Sequence, residues 1–141
     1  MPLLTHTWKS TVSVPGLPTL PGDDPVVISG DVDTPISIDV PAGQVGHIAG
    51  LSIDKTKIQS LVLQSSGTGL TTDVTVSTNV EDSPAVGDVF VLAPKKSIAW
   101  HNELDLSLFP LPITHNITDI YNDNTLGSVS ACFRGAFLLS L

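Results

Sequence analysis

Short runs of valine, isoleucine and leucine alternate with serine, threonine and aspartate along most of this chain. A period of two puts every second side chain on the same side of an extended backbone, so such runs predict strands with one buried face. Pro35–Val40 places Ile36, Ile38 and Val40 on one side, and Asp73–Thr78 points Val74 and Val76 inward. Gln44–Ile53 alternates through His47, Ala49, Leu51 and Ile53. The same reasoning predicts strands at His6–Val14, Val26–Ser29, Ile58–Ser65, Asp88–Ala93, Ser97–Trp100, Leu104–Phe109, Ile117–Tyr121 and Ser128–Leu139. Turn residues recur at roughly 8–12-residue spacing, the rhythm of a sandwich or barrel. Helical periodicity is missing. The expected fold is all-β: an antiparallel β-sandwich, jelly-roll-like, with about 8–10 short strands. An immunoglobulin-like sandwich is the alternative, but it has fewer strands and the chain lacks the Cys…Trp…Cys spacing.

Two segments depart from simple alternation. Residues 15–25 carry Pro15, Pro18, Pro21 and Pro25. Proline cannot donate to a ladder, so this stretch is an arm or a crossover, lying on its own domain or on a neighbour. The last predicted strand is apolar on both sides. Val129, Ala131, Phe133, Gly135, Phe137 and Leu139 share one face, and Cys132, Ala136 and Leu138 populate the other beside Arg134. Its outer face needs a cover, from another subunit or from the chain's own loops. The expected interface residues are therefore Pro15, Pro18, Leu20, Pro21, Cys132, Arg134 and Leu138.

Composition sharpens the picture. Charged residues make up only 14% of the 141 positions, and the polarity comes instead from Ser, Thr, Asn and Asp. That depletes the residues helices favour. The length suits one domain, 1–141, able to bury a core without disulfides or metals. The formal net charge is −8. Such a surface repels nucleic acid, whose binding rests on lysine and arginine neutralising phosphates. There is no apolar run long enough to span a membrane. The N-terminal residues Met1–Trp8 show no basic region followed by an apolar core, so synthesis and folding in a cytoplasm is expected. On that basis the Asn116-Ile117-Thr118 sequon is chance.

Motifs for chemistry are sparse. His6, His47, His101 and His115 lack the spacing of a metal pair, so a metal site would have to be assembled by folding. His47, among alternating apolar residues, reads as a half-buried filler. Asp23-Asp24, Asp31/Asp33 and Asp119…Asn122-Asp123-Asn124 are oxygen-rich turns; calcium uses such sets, but Asp and Asn also close turns by bonding their own backbone. Serines lie outside any Gly-x-Ser-x-Gly elbow, and Gly67-Thr68-Gly69 reads as a hairpin turn rather than a phosphate loop. No catalytic residue, cofactor or metal is expected. Trp100 and Tyr121 are candidate exposed platforms for a glycan, and Cys132 reads as a small buried hydrophobe.

The succession Leu51–Leu61, Asp73–Asn79, Asp88–Leu92, Ile98–Trp100 and Ile117–Tyr121 resembles, in strand rhythm and composition, small β-sandwich proteins of tailed-bacteriophage virions that decorate or cement a capsid. The resemblance covers roughly residues 45–125 and implies a non-enzymatic structural protein, a homotrimer contacting the major capsid protein on the outer surface of the virion. The acidic charge suits that location, and the N-terminal 25 residues contain only Lys9, unlike the basic arm expected of an RNA-packaging shell protein. A glycan-binding sandwich of a phage tail or adhesion protein is the alternative.

Overall fold

A computed structural model describes residues 4–8, 15–16, 26–81, 86–94 and 96–141. Ten strands run through them: β1 (Leu4–Trp8), β2 (Val26–Gly30), β3 (Val32–Val40), β4 (Val45–Ile48), β5 (Ile58–Ser66), β6 (Val74–Thr78), β7 (Val89–Leu92), β8 (Ser97–His101), β9 (Ile120–Asp123) and β10 (Ala131–Leu139). One four-stranded sheet has the order β3-β10-β5-β8 and a second the order β4-β9-β6-β7, with every pairing antiparallel. From β3 to β10 the chain passes to the other sheet at every connection except the β6–β7 hairpin. This is the eight-stranded, double Greek-key path of a jelly roll. The fold expected from the pattern is the fold observed.

The inner faces follow the alternation. Ile36, Ile38, Val40, Leu61, Leu63, Val74, Val76, Phe90, Leu92, Ile120, Phe133 and Phe137 interlock between the sheets. An Ile53–Ile117 bridge joins the loops at one end. Gly46 lets β4 turn tightly off β3: a Cβ there would lie 2.6 Å from Ile38 Cγ2 and 2.8 Å from Val40 Cγ2. Both are β-branched side chains with little freedom to yield. Asn122, on the inner face of β9, is fully buried with its amide unpartnered by other side chains or backbone.

The structure corrects several local expectations. Leu104–Phe109 forms turns rather than a strand, because Asp105 accepts bonds from the Ser107 N–H and hydroxyl while its carbonyl accepts from the Leu108 and Phe109 amides. Side chain and backbone thus offer that segment a local alternative to a ladder. Gln44–Ile53 keeps strand geometry only over Val45–Ile48, and Gly50 at φ +75° ends the run. Gly67-Thr68-Gly69 links strands of different sheets, so it is a crossover turn and not a hairpin. Of the strand expected at His6–Val14, β1 covers the beginning, and residues 9–14 lie outside the described residues.

A two-stranded ribbon, β1-β2, stands apart from the two sheets. It covers one end of the outer face of the β3-β10-β5-β8 sheet. Buried Ile28 and Leu138 belong there, outside the main core cluster.

Candidate functional site

On the β4-β9-β6-β7 sheet, the residues between the core positions form an open outer face. Strand register sets His47, Tyr121, Ser77 and Val89 in one row, and Val45, Asp123, Thr75 and Val91 in the next. Val89 and Val91 are 65% and 61% exposed, although their neighbours Phe90 and Leu92 are buried. Valine suits the pleated backbone on either face. Here it puts apolar area into water along an edge strand.

At the β4 edge of this face, three side chains from distant parts of the chain meet. His47 Nε2 lies 3.3 Å from Asp119 Oδ1, and His47 Nδ1 lies 3.6 Å from Glu81 Oε1. One ligand atom from each residue falls within 4.8 Å of the others. Asp119 is 2% exposed, and its carboxylate accepts the Val80 N–H at 3.1 Å. Asn79 holds the loop in shape from a left-handed conformation (φ 58°), donating from Nδ2 to the Asn116 carbonyl and accepting the Thr118 N–H. A non-glycine residue persists there only when its surroundings hold it. His47, expected as a half-buried filler among apolar positions, instead lies on the outer face, because Gly46 faces Ile38 and Val40. Asp119 was visible in the sequence as a turn acid; Glu81 carried no signal there.

A second constellation lies under the ribbon. His6 Nδ1 shares a 2.8 Å hydrogen bond with Ser60 Oγ, and His6 Nε2 approaches Asp33 Oδ1 at 3.3 Å. These are the residue types of a nucleophilic triad. Ser60, however, is fully buried, and its Oγ also accepts the Trp8 indole N–H at 3.1 Å. A substrate carbonyl cannot reach it. Trp8 also packs on His101, ring centroids 5.1 Å apart. The trio clasps the N-terminal ribbon to the sheet.

The sequence-predicted site residues scatter. Trp100 is buried, its indole N–H bonded to the Phe109 carbonyl at 3.0 Å, so it is a core residue and not a platform. Tyr121 is half-buried on the open face beside His47. Asn122 and Asp123 alternate to opposite faces, and Asp123 closes a turn by accepting the Thr125 N–H and hydroxyl. They do not converge as a calcium set. Leu138, expected at a subunit interface, is fully buried, its side chain lying against Gly30 of the chain's own ribbon. Arg134 is exposed and pairs with Asp39 at 3.2 Å. Pro15 is exposed in a turn, while Pro18, Leu20 and Pro21 lie outside the described residues.

Cys132 is half-buried on the outer face of β10, rather than fully buried. Burial, and a hydrogen bond with Asp39, push its thiol above the ordinary value, while that contact and Arg134 hold the Asp39 carboxyl below its own. Little thiolate then exists near neutral pH, and the thiolate is the nucleophile. Alkylation by iodoacetamide is expected to run several-fold slower than for an unstructured cysteine peptide at neutral pH, and to catch up as the pH rises. A rate equal to the peptide's at neutral pH contradicts this.

Comparison with protein-family models, with curated proteins and with solved structures finds no match to this chain.

Proposed function

We propose that this chain is a non-enzymatic structural protein of a bacteriophage virion, of the capsid-decoration type. Copies bind one another, as a trimer, and bind the shell protein through flat sheet faces. The observation that carries the reading is the outer face of β4-β9-β6-β7, with Val45, Val89 and Val91 open to solvent. Burying apolar surface stabilises by about 25 cal/mol per Å². Val89 and Val91 stand two apart on edge strand β7, and exposed apolar area rimmed by polar groups marks an interaction surface. On this reading the main contact lies on the β4-β9-β6-β7 side, away from the β10 residues expected from sequence. Two further points support the reading. Jelly rolls recur in capsid domains, an argument by analogy. The net charge of −8 suits a surface facing away from packaged DNA.

Light scattering after gel filtration tests it. The 14.8-kDa chain is expected to elute as a trimer of about 44 kDa. Val89→Lys with Val91→Lys is expected to give a monomer with an unchanged circular dichroism spectrum, because both side chains point into solvent. A wild-type monomer that also fails to bind assembled capsids overturns the reading.

A further inference from the structure

We propose that His47, Glu81 and Asp119 form a binding site for a divalent cation of the zinc class. Two carboxylates face one imidazole, and among the described residues no lysine or arginine pairs with either acid. Asp119 is 2% exposed, so bulk counterions cannot neutralise it. A protonated His47 supplies one positive charge against two negative ones. A dication with neutral His47 balances the set.

Geometry agrees. Zinc bonds of about 2.0–2.2 Å at tetrahedral angles set neighbouring donor atoms roughly 3.3–3.5 Å apart. The His47 Nε2 to Asp119 Oδ1 separation is already 3.3 Å. Glu81 faces the other ring nitrogen, Nδ1, at 3.6 Å; its exposed side chain offers an oxygen within 4.8 Å of the other two ligand atoms and would swing to the Nε2 side to complete the set. The anchoring is of the kind metal ligands receive from their surroundings. Val80 N–H orients the Asp119 carboxylate, and the Asn79 amide ties the Glu81 loop to the segment bearing Asp119. One nitrogen and two carboxylate oxygens suit zinc better than calcium, which takes six to eight oxygens. Three protein ligands leave a further position open to water. Bound there, the ion would pin edge strand β4 to the β6–β7 connection. The site lies at the β4 edge of the face assigned to assembly, but zinc heat and melting shift are read separately from oligomer mass.

The test is calorimetric titration of the chelator-stripped full chain with zinc chloride, beside a thermal melt with and without zinc. The expected result is saturable one-to-one binding and a raised melting temperature, with neither effect from magnesium or calcium. His47→Gln and Glu81→Gln change side chains that reach solvent, so both variants should fold; each is expected to weaken zinc binding at least tenfold. His115→Gln, at a separate place beside Asp88, is expected to leave binding unchanged. Zinc binding that persists in His47→Gln overturns the proposal. So does a wild-type chain with neither heat nor melting shift.

Discussion

Phe133→Ala is expected to lower the melting temperature by about 10–15 °C, from a loss of about 3–5 kcal/mol. Phe133 is fully buried near the start of β10. Its strand is central in its sheet, with Ile38 opposite on β3 and Ser65 opposite on β5. The ring folds over the next inward position, Gly135, where an added Cβ would lie 3.2 Å from Phe133 Cζ and 3.3 Å from Leu63 Cδ2. The space beside Gly135 is thus already filled by the phenyl group. Truncation removes the transfer energy of the ring and leaves a cavity that two hydrogen-bonded sheets cannot collapse to fill. Thermal unfolding followed by circular dichroism measures the loss. A shift under about 3 °C would mean that the sandwich centre relaxes freely, contrary to close packing.

Leu138→Ala is expected to cost about 2–4 kcal/mol, and to do so in a different place. Leu138 points away from the sandwich core, yet it is fully buried, because the β1-β2 ribbon lies over it. The ribbon is held by that contact, by Ile28, and by the bonds of His6 and Trp8 to Ser60. Weakening it should raise amide exchange in β1 and β2 before the two sheets open, since a peripheral element opens locally. The solution mass should not change. A changed mass with an unchanged melting temperature would identify Leu138 as a subunit contact after all, and would remove the ribbon as its cover.

The two residues lie on one strand, five positions apart, and the contrast between them shows where local pattern runs out. Alternation assigns Phe133 to one face and Leu138 to the other, and both faces of β10 read as covered. What covers the second face is a matter of tertiary structure, settled by a ribbon formed far away in sequence. Cys132 and Arg134, on the same outer face, lie beyond that cover. The candidate cation site is hidden for a similar reason. Asp119 stood among turn acids, and His47 stood in an apolar rhythm that suggested burial. Only the close approach of Gly46 to Ile38 and Val40 turned His47 outward, and only the crossing of β4 beside β9 brought it to Asp119.

What the sequence determined by itself is the sandwich class, most of the strands, and the buried faces of β3, β6 and β10. Those depend on the period-two geometry of an extended backbone and on the need to take valine, isoleucine and leucine out of water, both local properties. Tertiary structure alone decided that β10 pairs with β3 and β5, that Trp100 is core, and that His47, Glu81 and Asp119 meet. Each of these depends on groups far apart along the chain competing for the same partners. That competition is resolved only when the whole core closes.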